Sequence, residues 1–358
     1  DQGYSVLVQE DGRIIATGQG PIGYGFKMAR YESDGEIDTG FGDEGFVTTF
    51  IQGSSTPYTG VIQPDGKIIL AGVARTGFPG DFAMVRYLEN GGIDSLFGSD
   101  GIVRTDIQGI NSYDFALTIG LDPDGKIVLG GAADVQYVPS VSHIGVVRYN
   151  SNGSLDKSFG NNGIYELSLG SFSLVRSIAR QPDGKYLIAG SSNGIDSNSS
   201  WLLARLEYQG ELDLDFGNQG IIVTDLKGVQ ESAIGVLIQS DNRILVGGFN
   251  NGDDSDSRDF VVARYIVNYI SGIQKINSFS FSIFPNPCSD FISVEVGDES
   301  GAYHCIIYDL TGRLIRKDIL YSNSGTKLLI DTRLLNAGIY FLRISNNIKS
   351  AVGTFILE

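Results

Sequence analysis

Histidine, cysteine, methionine and tryptophan are scarce in this 358-residue chain, which has two His, two Cys, two Met and one Trp. The histidines, His143 and His304, fall in different parts of the sequence. A Ser-His-Asp arrangement therefore has room only around His143, and nothing near that residue supports one. No histidine cluster or cysteine pair has the spacing of a zinc site. No apolar run approaches the roughly 18 residues of a membrane-spanning helix. Positive charge is also short, with 26 Lys and Arg against 42 Asp and Glu, a net charge of −16. From Tyr269 to Glu358 the signs balance at eight each, so the whole excess lies before Tyr269. An acidic surface repels phosphate backbones, which argues against a nucleic-acid partner. The sequence starts at Asp1 with no Met and no signal-peptide pattern, and so reads as processed or truncated.

What the chain has in excess is glycine, 48 residues, beside 42% hydrophobic and 19% charged content. That composition suits many short strands with tight turns in a globular protein, and the length suits two or so domains. Glycine-rich stretches such as Gly18–Gly25 lack the following helix that a phosphate loop requires. The organising stretch is QPDGKIILAG, Gln63–Gly72, an Asp-Gly turn between two apolar runs. It returns as QEDGRIIATG from Gln9, DPDGKIVLGG from Asp122, QPDGKYLIAG from Gln181 and QSDNRILVGG from Gln239. The turn acids Asp11, Asp65, Asp124, Asp183 and Asp241 are 54, 59, 59 and 58 residues apart, which is the period of a modular array.

The second copy has four extended segments: Thr59–Gln63, Lys67–Ala71, Asp81–Tyr87 and Gly101–Thr105. They are too short and too β-branched for amphipathic helices, and four antiparallel strands per repeat predict a β-propeller blade. The third strand ends in arginine in every copy: Arg30, Arg86, Arg148, Arg205 and Arg264. The link to the fourth strand repeats Asp, Phe-Gly and Gly at Asp38/Phe41/Gly42/Gly45, Asp94/Phe97/Gly98/Gly101, Asp156/Phe159/Gly160/Gly163 and Asp213/Phe216/Gly217/Gly220. The phenylalanine is expected to plug the space between blades. The arginine faces the next blade by strand alternation and needs a buried acceptor, for which the link aspartate is the candidate. One carboxylate per link falls far short of the 6–8 oxygens of a calcium site. Strands one to three occur five times but the link and fourth strand only four times. The expectation is a missing strand before Asp1 that closes a five-bladed ring, with a larger ring cut short as the alternative.

The Gly-Gly ends of two hairpins, Gly130–Gly131 and Gly247–Gly248, resemble a kelch-type blade. Asp65–Gly72 and Asp81–Gly101 more closely resemble the bacterial delta-60 repeat, a β-propeller family of unassigned function, over about Asp1–Tyr265. That family supplies no catalytic residues. Residues 266–278 read as a linker. Beyond it, 279–358 has alternating strands with Thr-Gly and Ala-Gly turns, as in a small Ig-like β-sandwich. Its FPNP (Phe284–Pro287), YDLTGRL (Tyr308–Leu314) and LNAGIYFLRI (Leu335–Ile344) resemble the type A C-terminal sorting domain of the Bacteroidetes type IX secretion system. The resemblance implies that machinery as a partner, export behind a lost signal peptide, and a place on the outer-membrane surface or outside the cell. Cys288 and Cys305 would lie far apart along a hairpin, which disfavours a disulfide.

The fold class is thus all-β, a propeller followed by a sandwich, and no cofactor is implied. The acids Asp253, Asp254 and Asp256 offer a calcium loop, but without the full spacing of an EF-hand. The leading functional expectation is a non-catalytic surface or secreted propeller that binds a glycan or a protein. Its second-to-third-strand loops differ in every copy while the opposite end repeats, and Tyr24, Phe78, Tyr137 and Trp201 are the candidate contacts. A carbohydrate-active enzyme with paired channel carboxylates and a structural envelope spacer are the alternatives.

Overall fold

The computed structural model describes residues 2–19, 25–51, 53–75, 80–107, 112–137, 140–193, 198–252, 258–266, 281–295, 301–309, 314–322, 327–345 and 350–358. Every regular element among them is a β-strand. The second repeat shows how the sequence makes a blade. Asp65 accepts a hydrogen bond from the Lys67 amide at 3.3 Å, and Gly66 takes φ +81°, which closes the hairpin between Ser54–Ile62 and Ile68–Arg75. The chain returns as Gly80–Tyr87, then runs through the link to Ile102–Thr105, and the four strands pair in sequence order. Residues 2–49, 115–167 and 173–224 form equivalent four-stranded sheets. The fifth sheet, Gln230–Ile238, Ile244–Asn251 and Arg258–Tyr265, has three strands, as the count of links anticipates.

One residue bulges from each first strand, and a glycine makes that possible. A Cβ on Gly72 would stand 2.0 Å from the Thr56 carbonyl oxygen across the bulge at Tyr58. The equivalent glycines Gly18, Gly131, Gly190 and Gly248 are under the same constraint, at 2.0–2.1 Å. The closing glycine of the repeated hairpin is therefore dictated by a neighbouring backbone oxygen.

Consecutive sheets pack face to face, and the first strands of neighbouring blades pack on one another, so they form the inner edge of the array. Alternation along the third strand splits each blade between two cores. Val85 and Tyr87 pack toward the first blade with Phe26 and Met28, and Phe82 and Met84 pack toward the third with Val147 and Tyr149. Phe41, Phe97, Phe159 and Phe216 are each at most 2% exposed, between blades as expected.

The arginines hold these interfaces. Arg30 Nε reaches Asp38 Oδ2 at 2.7 Å, Arg86 reaches Asp94 at 2.9 Å, Arg148 reaches Asp156 at 2.8 Å and Arg205 reaches Asp213 at 2.6 Å. Each guanidinium also lies 4.3–4.7 Å over the link phenylalanine of its own blade. In three of the four, Nη1 crosses to the next blade and donates to a turn carbonyl: Arg30 to Glu89 and Arg86 to Ser151, both at 2.6 Å, and Arg148 to Tyr208. Beside it the link glycine amides do the same, Gly42 to Asn90 at 3.0 Å and Gly98 to Asn152 at 2.9 Å. The other oxygen of the aspartate caps its own link, as Asp38 Oδ1 does for the Gly40 amide at 3.0 Å. In the fifth blade, where no link follows, Arg264 is exposed.

The chain divides into two compact units, Asp1–Val267 and Asn268–Glu358. In the second, a three-stranded sheet (Ser282–Phe284, Phe291–Glu295, Leu328–Asp331) and a four-stranded sheet (Gly301–Asp309, Leu314–Ser322, Gly338–Ser345, Ser350–Leu357) share one core that includes Ile292, Val294, Ile307, Leu342 and Phe355. Cys288 and Cys305 are both buried and free, and burial pushes the Cys305 thiol up to about 12.

Two outcomes follow for the interfaces. Replacing Arg86 by Met strips the buried Asp94 carboxylate of its hydrogen-bonded cation and leaves it only Lys67 Nζ at 3.8 Å, and destabilisation of the first unit by about 3 kcal/mol is expected in denaturant unfolding. The double change Arg86→Met with Asp94→Leu should recover part of that loss; equal loss in both would show that the ion pair is not its source. Acid should weaken the same contacts. Burial alone would raise Asp38, Asp156 and Asp213, but it is outweighed. Hydrogen bonds from Arg30 for Asp38, from Ser158 for Asp156 and from Lys185 for Asp213, with the arginine charges, hold the three carboxyls below the ordinary 3.8. Depressed carboxylates contribute stability that is whole above the unfolded value and is lost as pH falls through the folded values. The thermal midpoint should therefore fall below about pH 4, and a midpoint flat from pH 6 to pH 2 would contradict this.

Candidate functional site

The array has two unlike ends. At one lie the Asp-Gly turns and the links, held by the contacts just described and nearly identical from copy to copy. At the other lie the second-to-third-strand loops and the connections between blades. Of the aromatic residues expected there, Tyr24 and Phe78 lie outside the described residues, as do the side chain of Tyr137 and the acids Asp253, Asp254 and Asp256. Trp201 is a correction. It is 1% exposed, packs between the fourth and fifth blades, and donates its indole N–H to the Phe249 carbonyl at 3.0 Å. It occupies the position filled by Phe26, Phe82 and Ile144 in the other interfaces, so strand alternation turned it inward.

The residues that the structure does bring together are the bulges of the first strands. Tyr4, Tyr58, Leu117, Arg176 and Ile234 take equivalent places on successive inner edges. A bulged residue escapes the up-and-down alternation of its strand and is free to project from the sheet edge. The ring of Tyr4 meets that of Tyr58 edge-on at 5.2 Å, and Tyr58 meets Phe115 at 6.3 Å. Phe115 in turn contacts Tyr113 at 5.4 Å, and the Arg75 guanidinium lies over Tyr113 at 4.6 Å. Aromatic surface thus runs along the inner edge of the first three blades. The fourth blade adds a cation to the row. Arg176 reaches solvent, yet the surrounding inner walls desolvate its guanidinium and lower its pKa. Its Nε donates to Ser232 Oγ at 3.1 Å, and no carboxylate among the described residues pairs with it.

The backbone beneath this row is held by hydroxyls. Thr118 Oγ1 accepts from the Ile178 amide at 3.2 Å, and Ser177 Oγ accepts from the Val236 amide at 3.1 Å, each across a blade boundary. The row is hidden in the sequence because its positions are the ones that do not repeat from copy to copy. The signal was there: seven residues before every turn acid stands a position that changes from Tyr to Leu to Arg to Ile within an otherwise regular strand.

The buried carboxylates of the first unit are already engaged. Asp114 is fully buried and accepts from the Ile107 and Asp134 amides, both at 2.8 Å, while burial raises its pKa. Glu231 accepts from the Leu226 and Gly228 amides at 2.9 and 2.7 Å. Both cap connections between blades. Asp122 accepts from the Tyr186 hydroxyl at 2.5 Å and lies 3.1 Å from Arg180 Nε. No group of three or more His, Cys, Asp or Glu able to hold a metal occurs among the described residues.

Residues 9–41, 63–97, 123–159 and 181–216 match the family described as "Domain of unknown function (DUF5122) beta-propeller", and residues 282–358 match the "Secretion system C-terminal sorting domain". The chain is a propeller of that repeat family joined to a secretion sorting domain. The propeller matches run from the Asp-Gly turn to the link phenylalanine, the part of each repeat that carries the arginine and its aspartate. In the sorting domain the FPNP motif has a visible job. Asn286 donates to the Thr354 carbonyl at 3.0 Å and accepts from the Ile356 amide at 2.9 Å, and Cys288 N–H bonds to Ile356 O at 2.8 Å. The motif thereby fastens the last strand of the chain. Most of the turn in YDLTGRL, residues 310–313, lies outside the described residues.

No curated protein matches the chain. Similar solved structures include a GH43_1 enzyme from Xanthomonas citri, at 11% identity over 73% of this chain and 86% of that one, with a TM-score of 0.37. The family 43 glycoside hydrolase YxiA of Bacillus licheniformis is 10% identical over 98% and 90%, with a TM-score of 0.36. The endo-1,5-α-L-arabinanase of Thermotoga petrophila RKU-1 is 10% identical over 98% and 90%, with a TM-score of 0.34. At these values the likeness says nothing about activity.

Proposed function

We propose that the protein is an exported, non-catalytic propeller that binds a glycan through the row of inner-edge bulges and the loops beside it. The observation that carries this is the row itself. Five backbone-equivalent positions hold Tyr4, Tyr58, Leu117, Arg176 and Ile234. Positions that served only packing would be expected to repeat as the link phenylalanines do. Tyrosine faces offer stacking surface for sugar rings, and a guanidinium with only its Nε engaged by a serine hydroxyl offers hydrogen bonds to sugar oxygens. The rigid opposite end makes a scaffold on which such contacts are held in place. Catalysis by paired carboxylates lacks a comparable observation, because the buried carboxylates described above are bound to guanidinium groups, hydroxyls or loop amides.

The sorting domain accounts for delivery. It places the propeller in the type IX secretion route, to the cell surface or beyond, and no helix among the described residues is long and apolar enough to cross a membrane.

Two experiments test the two halves of this reading. The full chain should capture a defined subset of polysaccharides on a glycan array, and Tyr4→Ala with Arg176→Ala should abolish capture while lowering the melting temperature only slightly, since both side chains reach solvent and each gives up few contacts. Loss of capture on Asp65→Ala with Asp124→Ala, and not on the first pair, would place the ligand at the wrong end for this proposal. In a cell with type IX machinery and behind a signal peptide, deletion of residues 280–358 should leave the propeller folded but retained. Normal surface display of the shortened chain would refute the delivery role.

A further inference from the structure

Two guanidinium groups on the aromatic row form no ion pair among the described residues. Most basic side chains of the first unit do, as its large excess of acids allows: Lys67 with Asp65, Arg104 with Asp81, Lys126 with Asp124 and Arg180 with Asp122. Arg75 and Arg176 have other partners. Arg75 ends the second strand of the second blade, lies over the ring of Tyr113 at 4.6 Å and donates from Nη2 to the hydroxyl of that tyrosine. Arg176 is the bulged residue of the fourth blade, and its Nε donates to Ser232 Oγ at 3.1 Å. One apolar cluster connects the two places. Tyr113 and Leu174, the latter two residues before Arg176, belong to it together with Tyr58, Phe115 and Leu117. The acids adjacent in sequence are turned elsewhere. Asp114, beside Tyr113, accepts from the Ile107 and Asp134 amides, and Glu231, beside Ser232, accepts from the Leu226 and Gly228 amides. The row thus carries two cations without direct counter-charges, in a chain whose net charge is −16.

A guanidinium partly withdrawn from water without a counter-charge is costly, and an anion that arrives beside it gains more than it would in bulk water. Desolvation by the surrounding walls lowers the Arg176 pKa, in keeping with such a place. What each arginine has left to give is directional. Arg176 has its Nε committed, which leaves the edge formed by Nη1 and Nη2, the edge that takes two oxygens of one anion. Arg75 has Nη2 committed and keeps Nε and Nη1. We propose that the inner row takes an acidic glycan, with uronate carboxylates or sulfate esters seated on Arg176 and Arg75 and the apolar faces of its sugar rings against Tyr58 and Phe115. The proposal rests on the glycan reading of this row and narrows it to one charge class. A neutral sugar would supply hydrogen-bond acceptors but leave both cations without a counter-charge.

The test presents the full chain with uronate polysaccharides beside their methyl esters, and with sulfated polysaccharides beside their desulfated forms. The charged member of at least one pair should be captured about tenfold more tightly or better, and the pair that shows the difference tells carboxylate from sulfate. Arg176→Gln and Arg75→Gln, each with an intact thermal transition, should lower that capture about tenfold, toward the level of the neutral member. Arg176→Lys keeps the charge without the fork and should lose less than Arg176→Gln. Equal capture of charged and neutral members, or capture of neutral glycans alone, would overturn the inference and leave the glycan reading standing. Polyglutamate held as tightly as the acidic glycans would overturn it too, because charge alone would then be recognised. Capture of no polysaccharide at all would defeat the glycan reading and this inference with it.

Discussion

A guanidinium buried between two sheets is the constraint from which most of this propeller follows. A charge in that position is tolerable only when its hydrogen-bonding capacity is met. Arg86 meets it with Asp94 on its own blade, with the Ser151 carbonyl on the next, and with the face of Phe97 beneath. Those partners fix the link, because the aspartate must also cap the turn that delivers the phenylalanine. They fix the following blade too, because its turn must present a carbonyl and a glycine to the same spot. A strand-end arginine thus dictates the chemistry of the link on its own blade and of the turn on the next.

The lock lies at one end only, which separates the demands on the two ends of each blade. The Asp-Gly turns and links answer to packing and electrostatics and have little freedom to change. The bulges and loops at and beyond the inner edge answer to the glycine opposite and to a few hydroxyls, and their side chains vary from copy to copy. The sorting domain sits outside this division. Its core is built by Ile292, Leu342, Phe355 and their neighbours.

The blade architecture was legible in the sequence because each of its determinants repeats. The Asp-Gly turn marks a hairpin, the 54- to 59-residue spacing counts the blades, and the joint recurrence of arginine and aspartate marks the pair that the structure places at 2.6–2.9 Å. The sorting domain was legible from three motifs in order. The candidate site was not, for the same reason turned around. Bulges are set by a backbone register that no residue type announces, so Tyr58 and Arg176 looked like ordinary strand positions. Trp201 misleads because aromatic character suggests a ligand contact, whereas strand alternation puts it in line with Arg205 and so inside the interface. The glycine after the second strand was noticed for its recurrence, but its reason, a carbonyl 2.0 Å from where a Cβ would stand, belongs to a neighbouring strand and appears only in three dimensions.

The identity of the locks has a consequence for the assembly as a whole. The first three internal boundaries join the same trailing surface to the same leading surface, so the first four blades are chemically acceptable neighbours for one another. Shuffling or duplicating blades within that stretch would leave each arginine with its aspartate, and Phe41, Phe97 and Phe159 each with a glycine to seat on. The locks therefore set how blades join but not how many there are. Blade number is left to the wedge shape of the sheets, and the surface chemistry of the inner edge can be rearranged one cassette at a time.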